Sequence, residues 1–590
     1  MEAIIHIEEQ EAARPLPAGH SRSGAQCSLV KQHMTKRASL MRLFRAGGVA
    51  LLVLAGCSST PPKQEPVASG PPAAASPSPK APPEVFESSD FIITLARPGD
   101  TPESLSSRYL GSPTKAWMIE EYGGSRSLIP GDEVVIPRRQ WNPPGVYASG
   151  YQLVPVLVYH NIGPQRKGPL VMASSTFEEQ MRYLRAEGYR AVRLEDFVAH
   201  LLQRRQLPRK SVLITFDDGH KGFLQYALPI LRELKFPAVL FIQTDQIAQQ
   251  PNANSLSWSE LRDLAKNGVE IQAHSKSHSN LRRTPGESDT AYARRMHAEL
   301  GTPPALFRAQ LPQVATQPQT IAYPYGEWDE GLLQQVKEYG YTAGFTVRRD
   351  ANPAFVPPLR VNRSQVLADW SLDDFKKNLS TFRPEQILSV VKETQPSRPS
   401  PNDTLSIQQW AARHRHNAEI LESNGLLAQA LDESKIALTV DPDDASAQAQ
   451  RKRLESRIED EAARRIQAGM KLTRASPSEA QRHFLAALAL NPTLQVAFEA
   501  LRDATATLVP PSATLVPPSA TLVPPSVVKS ITHTVRPNET SASIAELYYG
   551  DRSLGDVIEK ENGLKPGAPL SVGQVLKIPE VKGVIILRPD

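Results

Sequence analysis

Two adjacent aspartates, Asp217 and Asp218, end the apolar run of "SVLITFDDGH" (Ser211–His220). Like charges side by side repel, so one carboxyl group should resist ionisation unless something offsets the other. Further along, the run "VEIQA" ends in "HSKSH", which sets His274 and His278 four residues apart. Two imidazoles and one carboxylate form a common ligand set for a divalent ion that keeps positions open for water and substrate. Neither motif is specific alone, since a lone His-x3-His or Asp-Asp pair more often does no metal chemistry. Together, each just past a strand end, they are a far stronger signal.

The elements that must position these residues are legible around them. "SVLITF" reads as a buried strand, and the C-terminal ends of strands are where α/β barrels keep their active sites. "SWSELRDLAKNG" carries a capping box, Ser257 with Glu260, and a Gly268 stop, so a helix leads into the strand that delivers His274. From Val154 to about Ile387 short apolar strands alternate with helical stretches, the pattern of an α/β domain over residues 153–388.

"TFDDG" and "HSKSH" resemble the first two motifs of the polysaccharide deacetylases, the NodB-homology fold of carbohydrate esterase family 4. That resemblance implies a distorted (β/α) barrel in which Asp218, His274 and His278 hold a metal and Asp217 is the general base. The cation would offset the repulsion between the aspartates and acidify the water that attacks the acetamide carbonyl. An Asp-His-His set suits Zn, Co, Ni or Fe almost equally. The third motif, "IAYPYGEWD", implies that the Tyr325 backbone N–H helps bind the oxyanion. Two family features are missing. Ala322 stands where an arginine usually orients the catalytic aspartate, and Arg360 in "PLRVNR" is the expected substitute. The late Leu-x-His motif is also absent, and no histidine lies between His297 and His414. "VPVLVYHNIG" ends a strand at His160 instead, which is similar to the permuted deacetylases of exported poly-N-acetylglucosamine. His160 is then the expected general acid.

The remaining chain surrounds this unit with others. At 590 residues it exceeds one core, and its 52 prolines cluster in linkers. Charge is mildly balanced, 67 basic against 62 acidic residues, with no basic block that would suggest a nucleic-acid partner. Two cysteines exclude a disulfide framework. Cys57 ends "GGVALLVLAGC" after Lys36, Arg37, Arg42 and Arg45, the form of an export signal over residues 1–57 that begins at Met34 or Met41. Its "LAGC" resembles the bacterial lipobox, which implies lipidation of Cys57 and membrane attachment. Ser58 is compatible with an outer-membrane lipoprotein of the cell envelope, facing the periplasm.

Residues 58–89 are a Pro/Ala/Ser tether. Residues 90–138 and 531–580 share the order strand, helix, helix, strand, and both resemble the LysM module, a small α+β domain that binds N-acetylglucosamine-containing glycans. The second copy matches better; the first lacks the asparagine before its second loop. Residues 405–502 are helical and alanine-rich, similar to tetratricopeptide hairpins or a plain helical spacer, with a protein partner as one expectation. Residues 503–530 repeat "TLVPPSA" as an extended linker. The expected activity is metal-dependent N-deacetylation of a GlcNAc polymer, peptidoglycan or poly-N-acetylglucosamine. The alternatives are a non-catalytic LysM/helical scaffold with an inactive esterase fold, or an O-acetyl esterase.

Overall fold

The computed structural model describes residues 85–124, 127–312, 319–390, 405–508, 531–537, 539–549, 552–579 and 581, all within the unit Pro79–Asp590. Cys57, the export signal, the tether as far as residue 84 and the repeat from 509 to 530 lie outside the described residues. No described helix is long and apolar enough to cross a membrane.

The central domain is a curled parallel sheet with the helix-wrapped architecture of a distorted (β/α) barrel. Its strands run in the spatial order Ala343–Phe345, Thr320–Ala322, Glu270–Ala273, Val239–Ile242, Ser211–Asp217, Val156–Tyr159 and Ser364–Gln365. Alternation along each strand divides two cores. Val212, Ile214 and Phe216 face the surrounding helices with Leu157, Tyr159, Phe177 and Leu240. Leu213 faces the barrel interior with Val156, Val239, Phe241, Phe345 and Val361. The two sheet edges meet through one extended segment: Val361 bridges Phe345, and Ser364 pairs with Leu157.

The helical region comprises Ile407–Ser423, Leu427–Val440, Ala445–Leu472, Pro477–Leu490 and Gln495–Leu508. The last of these continues past residue 502 into the stretch expected as linker, because "RDATAT" keeps Ala504 buried among Phe498 and Leu501. The region is more than a spacer. Its Phe484 and Leu488 share a core with Tyr151, Leu153 and Phe355 of the central domain.

The first small module has strands Phe91–Leu95 and Glu133–Pro137 and helices Pro102–Leu110 and Ala116–Gly123, as expected. A further strand, Val85–Glu87, pairs with Phe91–Leu95 inside the stretch expected as tether. Phe86 explains it: its ring meets Trp410 edge-on at 5.2 Å, so this end of the tether has an apolar partner. The C-terminal module pairs Ile531–Thr534 with Val575–Ile578 and closes its own core around Ile544, Tyr548, Ile558 and Leu576. There Asn562 both donates to the Lys577 carbonyl and accepts from the Lys577 N–H, each at 2.7 Å, fixing the loop that precedes the last strand.

Candidate active site

Sheet register gathers the reactive side chains at one level. Phe216 pairs with Tyr159, Asp217 with Phe241 and Ile242 with Ala273, so Asp217, His160 and His274 all leave the C-terminal ends of parallel strands of one sheet. Asp217 shares its inward side with Leu213 and Thr215 by the two-residue period. His160 shares its side with Val156 in the same way. Gly222 brings the loop after the aspartates against the segment after His160. A Cβ on Gly222 would lie 1.9 Å from the Ile162 carbonyl oxygen, which no other residue could accommodate without displacement.

Asp218, His274 and His278 offer one carboxylate oxygen and two ring nitrogens that all lie within 4.8 Å of one another. The Asp218 Oδ1 is 3.7 Å from both the His274 and His278 Nε2 atoms. A divalent ion with bonds of about 2.0–2.2 Å holds adjacent donors roughly 3–3.5 Å apart, so small side-chain rotations complete the set. The His274 Nδ1 lies 2.8 Å from the Ala322 carbonyl and donates to it, which leaves the Nε2 lone pair turned to the site. Burial lowers the His274 pKa, which keeps the ring neutral and able to ligate. Burial opposes ionisation of Asp218, but its hydrogen bond to His220 and the nearby imidazoles outweigh that and hold it well below the usual carboxylate range. The donor set therefore fits a divalent ion.

The backbone is strained around this donor set. Asp218, Ser275, His278 and Tyr325 all have positive φ, 73°, 62°, 61° and 60°. Such conformations in non-glycine residues cost of order 1 kcal/mol or more each and persist only when neighbours impose them. Glu299 is one such neighbour. Its buried carboxylate accepts the Lys276 and Ser277 N–H groups at 3.0 and 2.9 Å and the Ser277 hydroxyl at 2.6 Å, pinning the loop between the two histidines. Sequence reasoning had no signal for Glu299, which lies over twenty positions from the loop it holds.

Arg360 is not the residue that orients Asp217. Its guanidinium pairs with Glu330, donates to the Ala506 carbonyl and lies over the Trp328 ring. Arg363 takes the role: its Nη1 and Nη2 donate to the two Asp217 oxygens at 2.7 and 2.8 Å, and the side chain is fully buried. The reason is local. "VPPL" makes a tight turn at Pro358–Arg360 outside the barrel, whereas Arg363 belongs to the extended segment that joins the sheet edges. Alternation within "RVNRS" puts Arg363 on the inward side with Val361, a signal present in the sequence once the turn is recognised. Burial would raise the Asp217 pKa, yet the Arg363 pair and the His274 imidazole hold it below the ordinary value.

His160 has a buried Nδ1 with no hydrogen-bond partner. Burial lowers its pKa, and the Asp217 and Asp218 charges pull it partly back. Tyr325 is 61% exposed, and its ring stands edge-on to His278 at 4.8 Å on the rim of the site. Gly326 after it has φ 71°, and a Cβ there would lie 2.4 Å from Val347, so this turn requires glycine. Two groups that sequence reasoning missed also touch Asp218: Gln243 Nε2 donates to Oδ1 at 3.4 Å, and His220 Nε2 lies 3.3 Å from Oδ2.

Comparison with known proteins places the central domain and the C-terminal module in families. The polysaccharide deacetylase family profile matches residues 204–344 and the LysM profile residues 533–579. The chain is similar to YxkH of Bacillus subtilis (strain 168), assigned as a polysaccharide deacetylase, with 28% identity over 199 residues, 34% of this chain and 66% of that protein. It is also similar to the poly-beta-1,6-N-acetyl-D-glucosamine N-deacetylase of Staphylococcus aureus (strain MRSA252), with 26% identity over 200 residues, 32% of this chain and 68% of that one. The chain thus spans about two thirds of the length of these curated relatives. Among solved structures, Streptococcus pyogenes deacetylase PplD in complex with acetate shares 22% identity at a TM-score of 0.34, covering 39% of this chain and 98% of that one.

Proposed function

We propose that this chain, which carries a polysaccharide deacetylase (NodB) domain and a LysM domain, hydrolyses N-acetyl groups of a GlcNAc-containing cell-envelope polysaccharide with the help of a divalent metal ion. One observation carries this reading. A carboxylate clamped by Arg363 stands beside a separate Asp-His-His set, which divides proton transfer from metal binding between two adjacent aspartates.

Asp218, His274 and His278 would hold the ion, which supplies Lewis acidity toward the attacking water and the acetamide carbonyl. Asp217, kept ionised and aimed by Arg363, receives the proton of that water. The Tyr325 N–H is the donor assigned to the developing oxyanion. In its protonated form, which burial disfavours and the Asp217 and Asp218 charges favour, His160 would deliver a proton to the amine nitrogen as the C–N bond breaks, leaving acetate and a glucosamine unit.

The S. aureus relative's activity favours poly-N-acetylglucosamine as the polymer, and the LysM domain favours docking on peptidoglycan. Acetate release from both polymers, with chelator and with metal restored, separates them. Asp217→Asn is expected to reduce acetate release by about 10²–10⁴-fold while metal binding and wall binding persist. Undiminished release from that variant would remove Asp217 as the base, and no release by the metal-restored parent from any acetylated glycan would favour the scaffold. Cys57 lipidation would tether this activity to the outer membrane, and Cys57→Ala should move the protein to the soluble periplasmic fraction.

A further inference from the structure

Asp218 has two oxygens, and the site treats them differently. Oδ1 faces the His274 and His278 Nε2 atoms at 3.7 Å each. Oδ2 is turned away from them toward His220 Nε2 at 3.3 Å. His220 is itself fixed: it bridges Ser255, the Lys221 N–H donates to the Asn254 carbonyl at 2.9 Å, and the Leu256 N–H donates to the Gly219 carbonyl at 3.0 Å. The loop that carries His220 is thus stitched to the segment preceding the helix Trp258–Lys266. The His220 side chain is 33% exposed, so it is not there to fill the core.

We propose that His220 is a positioning residue that restricts Asp218 to one metal-facing oxygen. With its ring nitrogen 3.3 Å from Oδ2, His220 in the Nε2–H form would hold that oxygen, so that Asp218 would ligate through Oδ1 alone and leave a coordination position for water and substrate. Without it the carboxylate is free to rotate about χ2 and present both oxygens, filling that position. Partners that orient metal-binding side chains in this way typically contribute 10–100-fold to affinity or activity. The inference rests on the metal-dependent reading above.

The test uses the full chain, His220→Ala and His220→Gln, with Co²⁺ as the probe. Affinity is measured by competition with a chromophoric chelator, and coordination number by the visible absorption of the bound Co²⁺. His220→Ala is expected to bind Co²⁺ 10–100-fold more weakly, with a spectrum shifted to higher coordination number; His220→Gln, which keeps an N–H donor, restores both. Circular dichroism of the metal-free variants should match the parent, so that any loss of affinity is read at the site and not as unfolding. Affinity and spectrum unchanged in His220→Ala overturn the proposal. So does a spectrum that loses a nitrogen ligand in both variants, which would make His220 a ligand itself. A parent chain that binds no Co²⁺ defeats the metal-dependent reading as well, whereas normal parental binding with indifferent His220 variants defeats only the role of His220.

Discussion

Arg363 presents two N–H groups to the two oxygens of Asp217 where neither residue meets bulk water. A buried ion pair is costly to break, because the survivor is left charged and unpaired, typically at about 3–5 kcal/mol. Arg363→Ala should therefore lower stability by that amount as well as abolish activity. Arg363→Lys is the sharper probe, since an ammonium cannot form the two-pronged contact. It should fold and lose about 10²-fold in kcat, because displacement of Asp217 by about an ångström spoils its line to the water. Arg360→Ala, by contrast, should keep near-parental kcat, since Arg360 contacts Glu330, Trp328 and the Ala506 carbonyl instead. Steady-state acetate release by the three variants checks this. Equal losses for Arg360→Ala and Arg363→Lys would contradict the assignment.

At the scale of elements, the loop between His274 and His278 is held in a conformation it would not choose. Ser275 and His278 sit at positive φ, with the His278 N–H donating to Ser275 Oγ at 3.0 Å and Glu299 gripping the two residues between. The glutamate comes from the segment His297–Gly301, a wide helical turn between two helices. Glu299→Ala frees the Lys276 and Ser277 N–H groups and lets the loop relax toward ordinary backbone angles. Metal affinity should fall about 10–100-fold, with the barrel intact by circular dichroism. Chelator competition on that variant is the check, and unchanged affinity would show that the barrel strands alone set the loop.

At the scale of the molecule, the first small module is joined to both larger parts. Arg190 of the barrel pairs with Glu120 at 2.6 Å, and the Arg209 N–H donates to Glu121 at 2.7 Å. On the module's other side, buried Glu133 accepts from Trp410 and Arg413, and His414 lies between Glu133 at 3.4 Å and Glu433 at 2.7 Å. Burial opposes the charge on His414, yet the two carboxylates prevail and raise its pKa to about 9. A histidine raised on folding stabilises fully below its ordinary value near 6.5, and that contribution is lost as pH climbs through about 9. It amounts to on the order of 3 kcal/mol at most. The melting temperature of the parent should therefore fall between pH 6.5 and 9.5 more steeply than that of His414→Gln. Parallel curves would mean that the charged bridge contributes nothing. The C-terminal LysM domain closes a core of its own, so removing residues 509–590 should leave kcat on soluble oligomers unchanged and weaken binding to insoluble glycan. A matching loss of kcat would show that this domain takes part in catalysis.

Residue types and short-range periodicity were enough to establish the class of the central domain, the pairing of "DDG" with "HSKSH", and the repeated small-module order, because strand ends, caps and ligand spacings are local properties. His160 was singled out by the resemblance of "VPVLVYHNIG" to the permuted deacetylases, and the structure places it at the end of its strand beside Asp217. Arg363, Glu299, His220 and the Val85–Glu87 strand belong to another category. Arg363, Glu299 and the Phe86 ring act on partners that the fold brings near from distant positions, whereas His220 lies two residues from Asp218 and only the turn of the loop aims its ring at that carboxylate. Choosing Arg363 over Arg360 required knowing which of two arginines three positions apart faces inward. Closure of the barrel between Phe345 and Leu157 decided that, since only there does the extended backbone turn every second side chain toward Asp217.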